Sequence, residues 1–404
     1  MTIQRSAPAG APGASDHRAA LLAGYLGWTL DAFDSFLVVF CLTAIGDEFH
    51  RSVAAMALAL TVTMAFRPVG AFLFGLLADR YGRRLPLMLD LIFYSVIEVL
   101  SGLAPSYTVF MVLRALFGIG MGGEWGVGAS LTMEKVPARL RGLLSGFLQQ
   151  GYAMGYLLAA VCFFFVFPRV GWRPLFFLGG LPALLAVFVR MRVKESEVWK
   201  KTRHETWGEL SRAILANWRL FLYLTVLMMA MNLASHGTQD LYPTFLKLER
   251  KFSVTGVSVL TGFSMVGAIL GGTLFGFVSD RIGRRRSMVI ALLAAVLVIP
   301  IWAFSPSVTL LVVGAFVMQF MVQGAWGVVP AHLSELSPDS VRGFLPGFGY
   351  QCGVLLASPV AFIEAFFTHQ TNYALPMAVT AATVFLMAAI ATALGPERRA
   401  AKFG

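Results

Sequence analysis

Inside an apolar stretch beginning near Arg219, the chain places Asn232, Ser235, His236, Thr238, Gln239 and Asp240 within nine residues. An ionised side chain at bilayer mid-depth costs at least ~2.5–3.5 kcal/mol, so such a cluster belongs against a protein-lined or watery cavity and reads as a functional site. At about 100° per residue, Asn232, His236, Gln239 and Asp240 share one stripe of a helix, which can line a pathway. Their chemistry is hydrogen bonding to a polar solute, with His236 and Asp240 able to exchange protons.

A second set of charges lies inside other apolar runs: Asp31, Asp34, Arg67, Arg114 and Glu124. A guanidinium presents a planar fork that fits a carboxylate with two hydrogen bonds, so Arg67 is assigned to an anionic substrate and Arg114 to a buried acid among Asp31, Asp34 and Glu124. The competing account, in which Arg67 also only neutralises a buried acid, stays open. Asp31 and Asp34, three residues apart, are read as sharing a helical face and as proton carriers. Glu124 is either a further proton site or the partner of Arg67 or Arg114. Glu98 ranks below these, and Asp90, Glu364 and His369 are placed near the membrane interfaces. Gln150 and Gln351 are neutral groups suited to a hydroxyl or keto oxygen, as is Gln149.

These residues need helices to hold them. The 404 residues are 57% hydrophobic and 13% charged, with long apolar runs between short charged connections, the profile of an all-α polytopic membrane protein. Twelve spans are expected near 20–44, 55–78, 86–104, 107–131, 142–167, 173–191, 220–246, 255–278, 287–305, 308–330, 343–366 and 373–394. Residues 1–19 read as a disordered tail, 20–192 as a first six-helix bundle, 193–216 as a charged linker, 217–396 as a second bundle and 397–404 as a tail.

Most of the 32 Lys and Arg residues fall on one side of this topology. The exceptions are Arg51, Arg169, Arg173, Lys247, Arg250 and Lys251 opposite, and Arg67 and Arg114 inside spans. The positive-inside rule therefore puts both termini in the cytoplasm of an inner-membrane protein. The net charge of +11 is dispersed among loops, which excludes a nucleic-acid-binding domain. Cys41, Cys162 and Cys352 are an odd count within spans and read as packing residues. No phosphate-cradling loop or Cys/His metal spacing occurs, so neither ATP hydrolysis nor a cofactor is expected, and the chain reads as a monomer in the bilayer and not as an enzyme.

The sequence repeats itself at an offset of 201: Gly75…Asp79-Arg80-Tyr81-Gly82-Arg83-Arg84 recurs as Gly276…Asp280-Arg281-Ile282-Gly283-Arg284-Arg285. Gly123-Glu124-Trp125-Gly126 recurs as Gly324-Ala325-Trp326-Gly327, and Glu134 with Arg141 as Glu335 with Arg342. Parallel halves imply two bundles related by an axis along the membrane normal with a site between them near the midplane. Asp79, Arg80, Arg83, Asp280, Arg281 and Arg284 are assigned to a gate at the membrane surface, with Glu134 and Glu335 beside them. Arg67, Arg114 and Glu124 fall opposite Ala268, Ala315 and Ala325, an asymmetry that favours function over scaffold.

The doubled Gly-x-x-x-Asp-Arg-x-Gly-Arg-Arg loop resembles the signature of the major facilitator superfamily. The run from Asn232 to Thr244 is similar to the Asn-x-x-Ser/Thr-His-x-Ser/Thr-Gln-Asp-x-x-x-Thr signature of the lactate and pyruvate permease branch of the sialate:proton symporter family. That resemblance implies proton-coupled symport of short monocarboxylates by alternating access, with small carboxylates and protons as partners. A departure is Val354, where the resembling fungal permeases carry Asn. A sialic acid or aromatic acid transporter is the nearest alternative, and a membrane receptor for organic acids is the other class.

Overall fold

The computed structural model describes residues 14–204, 206–359 and 372–403, all helix and connection without a strand among them. Six helical spans form the first half: span 1 (Ala14–Glu48), span 2 (Val53–Tyr81), span 3 (Arg84–Gly102), span 4 (Tyr107–Lys135), span 5 (Arg141–Gln149 and Gly151–Val170) and span 6 (Arg173–Leu178 and Leu181–Arg192). Their counterparts are span 7 (Trp218–Gln239 and Tyr242–Leu248), span 8 (Val254–Ile282), span 9 (Arg284–Phe304), span 10 (Val308–Leu336), span 11 (Leu345–Ala357 as described) and span 12 (Ala374–Leu394). Ten are long and apolar enough to cross a bilayer by themselves. The other two are span 4, which carries Arg114, Glu124, Glu134 and Lys135, and span 11, described for 13 residues.

The duplication is visible atom by atom. The Ser52 and Ser253 hydroxyls accept the Ala55 and Gly256 N–H groups at 3.2 and 3.1 Å, starting spans 2 and 8. Ser106 and Ser307 do the same for spans 4 and 10. Gly82 and Gly283, both at φ 104°, make the tight turns into spans 3 and 9, a conformation that a side chain would strain. Carboxylates from the far end of each bundle cap those helices: Glu195 accepts from the Arg83 and Arg84 amides, and Glu397 from those of Arg284 and Arg285.

One apolar core lies within the first bundle and another fills the second and continues across the seam to Trp28, Trp125 and Met133, while large apolar residues such as Leu297, 79% exposed, cover the outside. Without water to drive helix association, close backbone approach does much of the packing. Spans 2 and 4 meet this way: a Cβ added at Gly122 would lie 1.9 Å from the carbonyl oxygen of Arg67, and one at Gly118 2.2 Å from that of Thr63.

Both ends of the described chain reach one face of the molecule, here called the terminal face: Asp16 pairs with Lys135 at 2.6 Å, and the Ala401 carbonyl accepts from Arg141. The expectation of a disordered tail over 1–19 therefore fails for residues 14–19, which already belong to the first helix because Asp16 finds Lys135 and the Lys194 amide. The linker is two short helices, Glu197–Thr202 and Trp207–Ala216, the second opened by a Thr206/Glu209 capping box. Glu364 and His369 lie outside the described residues.

Gly122→Ala is expected to force spans 2 and 4 apart at a cost of roughly 1–3 kcal/mol, lowering the unfolding midpoint in detergent. Gly208→Ala, which meets nothing within 4 Å, should leave it unchanged. Equal melting of the two variants would contradict this packing.

Candidate functional site

Between the bundles lies a cavity of about 150 Å³ bordered by spans 1, 2, 4, 5, 7, 10 and 11. Span 7 presents Asn232, Ser235, His236 and Gln239 to it. Three of the four residues read as one stripe, Asn232, His236 and Gln239, line it, while the fourth, Asp240, stands with Leu241 in the break of the helix before Pro243. Asn232 Nδ2 donates to the Met228 carbonyl at 2.7 Å, and Gln239 Nε2 donates to Gln319 Oε1 at 2.9 Å and Ser235 Oγ at 3.1 Å. His236 Nδ1 lies 3.2 Å from Asp240 Oδ2. Asp240 itself borders an adjoining cavity of about 200 Å³, which shares Phe36, Tyr152, His236 and Gln239 with the first.

Across from span 7 stand Asp31 and Arg67. Arg67 is 8% exposed, and its Nε and Nη2 have no hydrogen-bond partner among the described residues. Both carboxylate oxygens of Asp31 are likewise unpartnered and buried. Arg67 interacts electrostatically with Asp31, Glu124 and His236. Pro68 follows Arg67 inside span 2 and frees the carbonyl of Met64, another wall residue, from the helical ladder.

Several expectations are corrected by rotation about helix axes. Asp34 does not share the cavity with Asp31: three residues turn a helix by about 300°, which leaves Asp34 some 60° away and inside the first bundle. There it lies near Gly179 and Glu98. Arg114 touches the cavity edge, but its acid is Glu98, not Asp31, Asp34 or Glu124. It also donates to Ser101 Oγ at 2.5 Å and stacks 4.5 Å from the Phe117 ring centre. Glu124 forms no ion pair among the described residues and packs against Gly27. Asp90, six residues after the start of span 3 at Arg84, is fully buried, and both its oxygens are unpartnered among the described residues.

The two glutamines assigned to substrate are also displaced. Gln150 bonds the Ile269 carbonyl at 2.6 Å and the Thr273 hydroxyl, tying span 5 to span 8. Gln351 is fully buried off the cavity wall. The wall positions are one residue earlier, Gln149 and Tyr350, themselves related by the 201 offset. Gln149 was already among the neutral groups read from the sequence, whereas sequence reasoning missed Tyr350, Trp28, Tyr152, Gln323 and Trp326; the available signal was that both tryptophans adjoin polar motifs. Trp125 and Trp326 close against Tyr350 with ring centres 4.6 and 5.9 Å apart, a cross-bundle aromatic floor.

Below that floor, the terminal face is shut by a doubled lock. The Asp79 carboxylate accepts from the Gly343 and Phe344 amides of the other bundle at 2.8 and 3.0 Å. Asp280 accepts from Gly142 and Leu143 at 2.8 and 2.9 Å, each residue 201 positions from its counterpart. Arg83 joins Asp79 and Glu134; Arg284 joins Asp280 and Glu335. Arg141 reaches Glu335 at 3.0 Å and Arg342 reaches Glu134 at 3.5 Å, both across the seam. Arg80 and Arg281, assigned to this gate, stand outside it: Arg80 donates to the His204 carbonyl at 3.0 Å, and Arg281 lies over the Phe277 ring.

The model of the Major Facilitator Superfamily matches residues 24–245, and that of the Sugar (and other) transporter family matches 211–397. A probable 4-methylmuconolactone transporter of Cupriavidus pinatubonensis is 30% identical over 96% of this chain and 92% of its own. A carboxylic acid transporter protein homolog of Saccharomyces cerevisiae is 28% identical over 93% of this chain and 67% of its own. The solved proton:xylose symporter XylE superposes with a TM-score of 0.79 over 97% of this chain and 98% of that one; at 18% identity this is a likeness of fold.

Removing one member of a buried ion pair costs roughly 3–5 kcal/mol, while replacing both by apolar residues can be nearly neutral. Arg114→Met is therefore expected to lower the unfolding midpoint in detergent, and adding Glu98→Met to recover much of the loss. A double variant as unstable as the single would dissociate Arg114 from Glu98.

Proposed function

The chain belongs to the Major Facilitator Superfamily, and on that premise we propose that it is a proton-coupled symporter of short monocarboxylates such as lactate and pyruvate. The observation that carries the reading is the guanidinium of Arg67 in the central cavity, its Nε and Nη2 unpartnered among the described residues, with the equally unpartnered carboxyl of Asp31 on the same wall. A substrate carboxylate takes the fork of Arg67, and Asp31 carries the proton that balances it. Asn232, His236, Gln239 and Gln149 supply neutral or switchable partners for a hydroxyl or keto oxygen. The span 7 signature, and the carboxylic acid named for the yeast relative, support the same substrate class.

In this reading the terminal face is cytoplasmic, and anion and proton load from the opposite side while the doubled lock is closed. Rocking of the bundles then breaks the lock and opens the cavity inward. One proton per monoanion moves no net charge, so the pH gradient drives accumulation at about 1.4 kcal/mol per unit and membrane potential contributes little.

A sialic acid carries many hydroxyls that need partners, whereas Phe36, Val38, Val39, Leu60, Met64 and Phe117 make much of this wall apolar. A second reading is favoured by a specific observation: Trp28, Tyr152, Trp326 and Tyr350 surround the cavity, surfaces on which a flat unsaturated or aromatic acid would stack.

Labelled lactate uptake into proteoliposomes under an inward proton gradient, with and without protonophore, tests the proposal against excess pyruvate, acetate, benzoate and sialic acid. Gradient-driven lactate uptake competed by pyruvate and acetate is expected. Competition by benzoate alone selects the aromatic reading, and absence of uptake for every acid removes the symport assignment. Arg67→Ala should weaken substrate binding roughly 100-fold, about 2.7 kcal/mol. Asp31→Asn should retain substrate exchange and lose gradient-driven accumulation; accumulation at the parent level would take Asp31 out of coupling.

A further inference from the structure

The segment that follows span 12 is built into the seam between the bundles. Beyond the Glu397 cap on span 9 the chain turns, with the Ala401 amide donating to the Arg398 carbonyl at 3.1 Å, and runs across the doubled lock. The Ala400 amide donates to Glu335 Oε1 at 3.1 Å, and Arg141 Nη1 donates to the Ala401 carbonyl at 2.9 Å. The Phe403 ring then sits between two guanidiniums, with the Cζ atoms of Arg141 and Arg342 lying 3.8 and 3.6 Å from its centre. Ala400 has φ 56°, a left-handed conformation disfavoured for alanine, so the segment is held there by its contacts and not by its own preference.

The two arginines are the same position of the repeat, 141 and 342, one in each bundle. Each is already engaged with an acid of the opposite bundle, Arg141 with Glu335 and Arg342 with Glu134. A ring that offers a face to each guanidinium therefore bridges the bundles at the centre of the lock. When the bundles part at this face, Arg141 and Arg342 separate and the ring can keep at most one of them. A contact made in one of two states biases the equilibrium between them by its full difference in free energy.

We propose that residues 398–403 are a latch that holds the terminal face closed and leaves the seam each time the bundles part there. The occupant of the seam is this chain's own segment, and the clamp is the pair of ring faces of Phe403 against Arg141 and Arg342. The latch sets the proportion of open and closed transporter, so anything that withdraws the segment favours the open state. It goes beyond the transport reading, and it does not depend on which solute is carried.

The test measures the distance across the terminal face by double electron–electron resonance on the full chain in lipid, without substrate. Spin labels replace the exposed Arg139 and Arg286, one in each bundle, after Cys41, Cys162 and Cys352 are substituted. Phe403→Ala should raise the ratio of long-distance to short-distance population about tenfold, equivalent to about 1.4 kcal/mol. Phe403→Trp, which keeps two ring faces, should reproduce the parent distribution, and Phe403→Leu should resemble Phe403→Ala. An unchanged distribution in Phe403→Ala, or a parent-like one in Phe403→Leu, overturns the latch; if the alanine variant does not fold, the Leu and Trp pair decides. Because no substrate is present, failure here leaves the symport proposal standing, and failure of uptake leaves the latch standing.

Discussion

Charge in a dry interior must be compensated, and this structure is organised around that constraint. Among the described residues, away from the terminal-face lock, the first bundle buries Asp31, Asp34, Asp90, Glu98 and Glu124 with two guanidiniums, Arg67 and Arg114. One of those, Arg114, is committed to Glu98 and wrapped by aromatic rings. Arg67 is thus left facing the cavity, in an interior where the five named acids outnumber the two guanidiniums and a dry environment disfavours the surplus negative charge. Under the proposed symport, an anion arriving at Arg67 would compete for the same positive charge that steadies the neighbouring acids, a physical route from anion binding to proton uptake.

The second bundle has little of this. Where the first half has Arg67, Arg114 and Glu124, the second has Ala268, Ala315 and Ala325. Its contribution to the cavity is the neutral and switchable polarity of span 7 together with Gln323, Trp326 and Tyr350. The gate shows the opposite pattern, with Asp79 and Asp280, Glu134 and Glu335, and Arg83 and Arg284 performing the same contacts in both copies. Duplication supplied a symmetric set of lock contacts, and divergence placed the buried charges on one side of the cavity. The tail around Phe403 breaks the gate's symmetry too, since it lies across the seam from the second bundle's end.

Much of this was legible before any coordinate. Spans follow from apolar length because a bilayer leaves backbone groups no other partner than the helix itself. The repeat follows from one exact offset shared by the doubled Asp-Arg-x-Gly-Arg-Arg loop, the Gly-x-Trp-Gly motif and the Glu and Arg positions after it. The polar stripe of span 7 follows from helical periodicity, and Arg67 from the cost of a charge at depth. The assignments that failed were pairings and facings: Asp34 with the cavity, Arg114 with an acid other than Glu98, Gln150 and Gln351 on the wall, Arg80 and Arg281 in the lock. For Asp34 and the two glutamines the difference is a rotation of 60–100°, one residue's step around a helix axis or less.

The sequence by itself determined the class of the protein, its twofold construction and the residues that cannot be inert, because burial cost and periodicity are local properties of a chain. It did not determine which of those residues meet. Glu98 reaches Arg114 because spans 3 and 4 pack with that rotation, Gln149 instead of Gln150 faces the cavity because span 5 is turned by one residue, and Phe403 finds two arginines 201 positions apart only after the bundles have closed. Relative rotation and docking of helices depend on the whole set of packing contacts at once, and only the tertiary structure decides them.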